Sequence, residues 1–303
     1  KKKCLQIHQE QFMNVVHQIM TKDQTHSFSQ KNVKIFAMEV NRTYLGDCLE
    51  LMPQIKTGSV DMILCDLPYG TTACKWDIVI PFIQLWCEYG RVIKDDGAIV
   101  LFASQPFTTD LINSARDIFR YSLVWEKSHG SFATAKKMPM KRHEDILMFC
   151  KGKEKYNPQM GVRDKIRDRR NEGYIKSGKG NSKNSATNPN IDFKYADDYN
   201  PNLSYPKSIL KFPNPSNKRL HPTQKPTALF EYLIKTYTDE GELILDNCAG
   251  SGTTGEACYN TGRNYIQIEK EQKYFDLILG REKSFNKKDD EPQISLWNTA
   301  NGI

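Results

Sequence analysis

Short apolar runs alternate with segments of helical periodicity along most of this chain. The run Ala98–Ala103 is continuously apolar and Val60–Cys65 is apolar except for Asp61, a pattern typical of strands buried on both faces of a sheet. The predicted strands are Thr43–Leu45, Val60–Cys65, Ala98–Ala103, Tyr121–Trp125, Asp145–Phe149, Glu242–Leu245 and Tyr265–Ile268. The predicted helices are Glu10–Met20, Leu49–Ile55, Pro81–Ile93, Phe107–Phe119, Thr227–Tyr237, Thr253–Asn260 and Gln272–Leu279. This alternation predicts an α/β fold with a doubly wound, mostly parallel sheet.

Interruptions of this pattern divide the chain into five segments. Residues 1–40 form an accessory N-terminal segment, and residues 41–150 carry the first strands and helices. Residues 151–220 are rich in Asn, Ser, Gly and Pro and have no clear period, and the alternation resumes over residues 221–282. We expect residues 283–303 to be a polar, mobile tail.

The composition excludes several classes of protein. No apolar run approaches the ~18 residues that a membrane span needs, and the first residues lack the apolar centre of a secretory signal. The eight cysteines are scattered without a C-x-x-C pair, so neither a structural metal site nor a disulfide framework is expected. We therefore expect a soluble, globular protein of the reducing cytoplasm that needs no metal ion.

The net charge of +7 is concentrated in one segment. Residues 151–220 contain 16 Lys and Arg against seven acidic residues, a net +9, which leaves −2 for the rest of the chain. Aromatic residues such as Tyr174 and Tyr195 are interleaved with these positive charges. Composition alone leaves two interpretations open: a solvated insertion, or a region in which Lys and Arg contact the phosphates of a nucleic acid.

A glycine-rich turn follows the predicted strand Glu242–Leu245. It reads Asp246-Asn247-Cys248-Ala249-Gly250-Ser251-Gly252-Thr253-Thr254 and opens a helix, and Glu269 closes the next strand. Glycines allow the backbone to approach a ligand closely at a strand end, and the acid of the following strand can accept hydrogen bonds from ribose hydroxyls. The spacing fits neither a dinucleotide fingerprint nor a phosphate-binding P-loop. It indicates a site for a nucleoside cofactor, with a plain strand-to-helix turn as the alternative.

A second motif, Asp66-Leu67-Pro68-Tyr69, stands where the strand Val60–Cys65 ends. A carboxylate beside a backbone carbonyl offers two hydrogen-bond acceptors, which suit an exocyclic amino group. The ring of Tyr69 offers a flat face on which a base can stack. Taken alone, this motif could also be a simple turn that an Asp caps.

Together these motifs resemble those of the DNA amino-methyltransferases, which carry a D/N/S-P-P-Y tetrad and an F/C-x-G-x-G cofactor loop on a Rossmann-like sheet. The tetrad precedes the cofactor loop, with a basic region between them, and this order resembles the circularly permuted β group of the family. Four further segments resemble sequence motifs of that group: Gly46-Asp47-Cys48, Trp125-Glu126-Lys127, His143–Leu147 and His221–Pro226. The last of these resembles its H-x-T-x-K-P motif. The resemblance covers roughly residues 42–282.

The resemblance implies a class I methyltransferase that transfers a methyl group from S-adenosylmethionine to N6 of a flipped-out adenine in double-stranded DNA. Residues 41–150 would be the catalytic half, 151–220 the target-recognition region and 221–282 the cofactor-binding half. The implied catalytic residues are Asp66, Leu67, Pro68 and Tyr69. The implied cofactor-binding residues are Asp47, Thr223, Lys225, Asp246, Cys248, Ala249, Gly250, Ser251, Gly252, Thr253 and Glu269. The candidate DNA contacts are Lys127, Arg163, Arg167, Arg169, Arg170, Lys176 and Lys179.

Several alternatives stay open at this point. Leu67 replaces the commoner Pro of the tetrad but still provides the backbone carbonyl, and Asp66 favours adenine over cytosine, since the Ser form is typical of the cytosine N4 enzymes. A cytosine N4 methyltransferase and a non-catalytic DNA-binding protein on this scaffold are the other candidates. Asp47 could be a helix N-cap rather than a cofactor contact. Relatives of this group are often dimers, although the sequence shows no interface, and it identifies no restriction partner.

Overall fold

The computed structural model describes residues 38–72, 74, 77–130, 135–163, 200, 202–215 and 224–289. The described residues fall into two units, with those between Pro158 and Lys207 in the second. The predicted helix Glu10–Met20 lies outside the described residues. No helix in the described part of the chain is long and apolar enough to cross a membrane.

The first unit contains eight strands and six helices in its described residues. The strands are β1 (Arg42–Leu45), β2 (Val60–Cys65), β3 (Ile93–Ala103), β4 (Phe119–Glu126), β5 (His143–Phe149), β8 (Ile209–Lys211), β9 (Leu243–Asp246) and β10 (Asn264–Glu269). The α-helices are α1 (Cys48–Leu51), α2 (Phe82–Val92), α3 (Phe107–Ser114), α4 (Thr227–Tyr237), α5 (Thr253–Thr261) and α6 (Gln272–Asp289), and a 3₁₀ turn spans Met52–Gln54. The second unit contains a two-stranded ribbon of β6 (Gly161–Val162) and β7 (Leu203–Ser204).

The eight strands of the first unit form one sheet in the order β1-β10-β9-β2-β3-β5-β4-β8. The strands β1, β10, β9, β2 and β3 pair in parallel, whereas β5 pairs antiparallel to both of its neighbours. This arrangement confirms the predicted doubly wound, mostly parallel α/β sheet. The circular permutation stays a prediction.

The core lies on both faces of the sheet, and β2 shows why its sequence is apolar at every position except Asp61. Ile63 and Cys65 pack on the face covered by α2 and α3, and Met62 and Leu64 pack on the face covered by α4 and α5. A strand sandwiched in this way alternates between two buried faces, so no polar period appears in its sequence.

Two element boundaries differ from prediction because polar residues continue the element. The strand β3 begins at Ile93 rather than Ala98, and its Lys94 pairs with Asp61 on β2 at 2.5 Å. The helix α6 continues to Asp289 rather than ending at Leu279, so residues 283–289 of the expected tail are helical. Beyond Leu279 the apolar period no longer indicates the helix, because polar contacts attach it to the rest of the fold. Arg281 donates to Glu256, and Glu282 accepts from the Thr43 hydroxyl at 2.6 Å.

Two further differences concern the same part of the sheet. The helix α3 ends at Ser114 and not at Phe119, which instead begins β4. The strand β8, which pairs in parallel with β4, is absent from the predicted strands. It is only three residues long, too short for an alternation of apolar and polar residues to indicate it.

Candidate active site

The two sequence motifs meet at one edge of the sheet. Because β2, β9 and β10 are parallel, their carboxyl ends lie at the same edge, and this brings Asp66, Asp246 and Glu269 together. A cleft of about 350 Å³ opens there. Its lining includes these predicted residues: Asp47, Asp66, Leu67, Pro68, Tyr69, Lys225, Asp246, Cys248, Ala249, Gly250, Ser251, Thr253 and Glu269.

The carboxylate of Asp66 is held on both of its oxygens. The hydroxyl of Tyr69 donates to Oδ1 at 2.7 Å, and the ammonium of Lys225 contacts Oδ2. Burial raises the pKa of Asp66, Lys225 opposes that rise, and Glu144 adds to it. The ring of Tyr69 stacks on Phe107 with centroids 5.1 Å apart and an interplanar angle of 28°. The first residue of the tetrad is therefore oriented before any ligand arrives.

Leu67 shows why the tetrad accepts a residue other than Pro at its second position. Its side chain is 4% exposed and belongs to the core on the α2 side of the sheet. Burial of this side chain fixes the local backbone by packing, in place of the ring constraint that Pro would provide.

The loop after the tetrad is anchored by Asp77, which the sequence motifs did not indicate. Its carboxylate accepts backbone N–H groups from Gly70 at 2.8 Å, Thr71 at 2.9 Å and Thr72 at 2.7 Å. Burial would raise the pKa of Asp77, but these donors and the Thr72 hydroxyl outweigh it and lower the pKa. An acid 11 residues after Asp66 is a weak signal in sequence, because an isolated Asp in a polar loop has many possible roles.

The glycine-rich loop is built around two buried carboxylates. The Glu269 carboxylate accepts hydrogen bonds from the backbone N–H of Gly250 at 2.7 Å and that of Glu271 at 2.8 Å, and burial raises its pKa. Asp246 accepts from the Cys248 N–H at 3.1 Å, and burial raises its pKa to about 6.

Gly252 requires its lack of a side chain for two reasons. Its φ of +72° lies in the left-handed region, and a Cβ there would stand 3.0 Å from Ile278 of α6. Gly252 is the one described cofactor candidate that does not line the cleft. Its part in the loop is conformational.

Asp47 caps α1 and also lines the cleft. Its Oδ1 accepts from the Leu49 N–H at 2.9 Å, which is the N-cap geometry, and its Oδ2 pairs with Lys270 at 2.9 Å. The hydrogen bond from Lys270 lowers the pKa of Asp47 although burial opposes it. The capping alternative is therefore present in the structure, and it keeps the carboxylate charged at the cleft.

A buried ion network connects the tetrad to β4 and β5. Lys225, with a side chain 5% exposed, contacts Asp66 and also lies 3.2 Å from Oε2 of Glu144. Oε1 of Glu144 pairs with Lys127, which lies 5.1 Å from the centroid of the Trp125 ring. Burial would raise the pKa of Glu144, but the two lysines lower it. The two carboxylates raise the pKa of Lys225 against the effect of burial.

The remaining candidates are placed as follows. Arg163 belongs to the second unit, where its backbone N–H donates to the Asn202 carbonyl at 2.9 Å. Six predicted residues lie outside the described residues: Thr223, Arg167, Arg169, Arg170, Lys176 and Lys179. The described residues include no group of three or more His, Cys, Asp or Glu that could hold a metal ion.

Known proteins are similar to this chain in sequence and in fold. A family model described as DNA methylase matches residues 60–280. The type II methyltransferase M.HpaI of Haemophilus parainfluenzae is 28% identical over 259 residues, covering 81% of this chain and 75% of its own length. The DNA adenine methyltransferase YhdJ of Escherichia coli (strain K12) is 27% identical over 266 residues, covering 81% of this chain and 84% of its own length.

A solved structure extends the likeness to the fold. The crystal structure of an M1.HpyAVI–SAM complex has a TM-score of 0.51 and 24% identity, and the match covers 79% of this chain and 98% of that one. This match confirms the predicted methyltransferase type of fold. Since the family model spans residues 60–280 of a 303-residue chain, the protein belongs to the DNA methylase family.

Proposed function

We propose that this member of the DNA methylase family transfers a methyl group from S-adenosylmethionine to N6 of adenine in double-stranded DNA. The observation that carries the proposal is the shared cleft, in which the tetrad at the end of β2 faces the glycine-rich loop at the end of β9. An amine-binding motif and a nucleoside-binding motif in one cleft are what a methyl transfer to a base amine requires.

The residues of the cleft fit S-adenosylmethionine, which supplies an electrophilic methyl group on its sulfonium centre. A carboxylate has about four lone-pair positions. The backbone N–H groups of Gly250, Lys270 and Glu271 bond to the Glu269 carboxylate, and the capacity that remains is available to a ribose hydroxyl. Asp47 and the loop from Asp246 to Thr253 supply further polar contacts around this point. The predicted contact of Lys225 or Thr223 with the amino-acid end belongs to the same proposal.

The tetrad activates the amine by positioning it. The amino nitrogen of adenine is a poor nucleophile because its lone pair is delocalised into the ring. Asp66 and the Leu67 carbonyl accept hydrogen bonds from the two N–H groups of this amine and draw the nitrogen toward tetrahedral geometry. Tyr69 stacks on the base. The new N–C bond would form as the bond between the methyl carbon and the sulfonium sulfur breaks, so that S-adenosylhomocysteine leaves, and the surplus N–H proton would pass to Oδ1 or Oδ2 of Asp66. The raised pKa of Asp66, caused chiefly by burial, suits that step.

The base must leave the duplex to reach this cleft, since its amine cannot meet the cofactor inside the helix. We propose that residues 151–220, with a net charge of +9, contact the DNA backbone. The proposed contacts include Arg163, Arg167, Arg169, Arg170, Lys176 and Lys179. Lys127 is a weaker candidate, because its ammonium is already paired with Glu144.

Cytosine N4 is the second candidate substrate. It is supported by the amine geometry alone, because both bases present an exocyclic NH₂ group. Asp66 favours adenine, as does the relative that is named a DNA adenine methyltransferase. A homodimer, a cytoplasmic location and a role in restriction–modification are further parts of the proposal.

Methylation of DNA with labelled S-adenosylmethionine, followed by nucleoside analysis, tests the reaction. We expect N6-methyladenine from the wild type and none from Asp66→Ala, while calorimetry shows nearly unchanged cofactor binding by that variant. N4-methylcytosine would establish the second candidate. Wild-type turnover by Asp66→Ala would refute the role of the tetrad.

The salt dependence of DNA binding tests the basic region. Each phosphate contact contributes roughly −0.9 to the slope of log K against log salt concentration on duplex DNA. Replacing Arg167, Arg169 and Arg170 by Ala should flatten that slope. An unchanged slope would make residues 151–220 a solvated insertion.

A further inference from the structure

An exposed isoleucine stands at the rim of the cleft. The side chain of Ile78 is 71% exposed, the largest value among the large hydrophobic residues described in the first unit. Ile78 nevertheless lines the same cleft as Asp66 and Tyr69. The side chain therefore lies at the opening through which a base would enter.

The backbone on both sides of Ile78 is anchored. Asp77, immediately before it, is 8% exposed and accepts three backbone N–H groups of the loop that follows Tyr69. Val79, immediately after it, packs against Gly70, where an added Cβ would stand 3.0 Å from its Cγ2. These contacts fix the position of Ile78 relative to the tetrad, although its own side chain has little to pack against.

We propose that Ile78 is a wedge that enters the base stack in place of the flipped adenine. This inference rests on the proposed function, because only a reaction on an extruded base leaves a gap in the duplex. The gap is bounded by the apolar faces of the two neighbouring bases, and an apolar side chain fits it better than water does. The target base moves into the cleft beside Tyr69 while the rim stays at the duplex, so Ile78 is in the right place to fill the gap.

The wedge predicts a loss of activity that depends on how firmly the target adenine is paired. Unstacking a paired base is unfavourable, and a mismatched or unpaired target needs much less energy to flip. Ile78→Ala should therefore methylate a fully paired site about tenfold or more slowly than the wild type, since small barrier changes have exponential effects on rate. On a duplex with an abasic position opposite the target adenine, the two proteins should differ by less than about threefold.

Ile83→Ala is the matched control. Ile83 is an exposed isoleucine of α2, 49% exposed, and it does not line the cleft. Its replacement removes the same kind of side chain from an exposed position outside the cleft and should leave both rates unchanged. Ile78→Phe, which restores a large apolar side chain, should recover most of the rate on paired DNA.

The experiment first identifies the site by sequencing DNA that the wild type has methylated, and then uses duplexes carrying that site. 2-Aminopurine at the target position reports flipping directly, and we expect its fluorescence to rise with the wild type and much less with Ile78→Ala. Equal rate losses on paired and abasic duplexes, or no loss on either, would overturn the wedge. A change in oligomeric state of Ile78→Ala under assay conditions would assign the residue to a protein interface instead. Failure of the wild type to methylate any DNA would refute the proposed function itself.

Discussion

Replacing Lys225 by Met removes the cation that holds the Asp66 carboxylate. The Lys225 ammonium contacts Oδ2 of Asp66 and lies 3.2 Å from Oε2 of Glu144, and its side chain is 5% exposed. At an effective dielectric constant of ~20, a unit-charge pair at that distance attracts by about 5 kcal/mol before desolvation is considered. Breaking a buried pair by removing one partner typically destabilises a protein by about 3–5 kcal/mol. We expect Lys225→Met to lose a free energy of unfolding in that range.

The effect on catalysis has a defined sign. Burial already raises the pKa of Asp66, and Lys225 is the group that opposes this rise most strongly. Without Lys225 the pKa of Asp66 must move further up. Since the proposed reaction needs the carboxylate form, activity falls as the pH drops through that pKa. The acid limb of the rate profile should therefore move to higher pH in Lys225→Met, and alkaline buffer should restore part of the lost rate.

Single-turnover methyl transfer across the pH range, with saturating S-adenosylmethionine, measures this limb. Lys155→Met is the control, because Lys155 also bridges two acids, Glu242 at 2.5 Å and Asp239 at 2.7 Å, outside the cleft. That variant should lose stability and keep the wild-type profile. An acid limb that does not move in Lys225→Met would refute the claim that Lys225 sets the protonation of Asp66.

Three further predictions concern the glycine-rich loop. Glu269→Gln should weaken S-adenosylmethionine binding about tenfold or more in calorimetry, because hydrogen bonds to a charged group contribute roughly 1.5–3 kcal/mol. An unchanged affinity would show that Glu269 does not bind the ribose. Gly252→Ala and Gly58→Ala both place Ala at positive φ, of +72° and +62°, which costs about 1–2 kcal/mol, but only the first brings a Cβ to 3.0 Å of Ile278. Urea unfolding should show the larger loss for Gly252→Ala, and equal losses would contradict the packing argument. Asp246, whose pKa is raised from 3.8 to about 6, stabilises the fold in its protonated form below about pH 4, and that stabilisation is lost as the pH rises through about 6. Asp246→Asn should therefore flatten the fall in stability over that range, by up to a few kcal/mol, and an unchanged pH dependence would contradict the raised pKa.

The sequence predicted the central elements well because their signals are local. The strand β2 matches its predicted bounds, since a short run that is apolar except for Asp61 ends at Asp66, and α4 matches because Pro226 marks its start. The extended β3 and α6 were underestimated because ion pairs and hydrogen bonds to Asp61, Thr43 and Glu256 continue each element beyond its apolar residues. Those partners lie far away in sequence, so no periodicity could indicate them.

The direction of β5 shows the same limit in the sheet. Its sequence has the apolar character of a buried strand, yet it runs antiparallel to β3 and β4. An apolar run reports burial and not strand direction, which depends on how the connections cross the sheet. Direction matters for the site, because it places Glu144 near the amino end of β5 and therefore at the edge where the parallel strands carry their carboxyl ends.

That placement completes a charge balance that the motifs alone do not reveal. Asp66 and Lys225 are 159 residues apart, Glu144 belongs to β5 and Lys127 directly follows β4, yet the four form one partly buried network of two carboxylates and two ammonium groups. With Glu144 between both lysines, one positive charge is left for Asp66 to neutralise. Protonation of Asp66 would leave that charge buried and unpaired, which is costly. The network therefore favours the carboxylate form of Asp66 that the proposed methyl transfer needs, and the tetrad depends on residues outside its own sequence for that state.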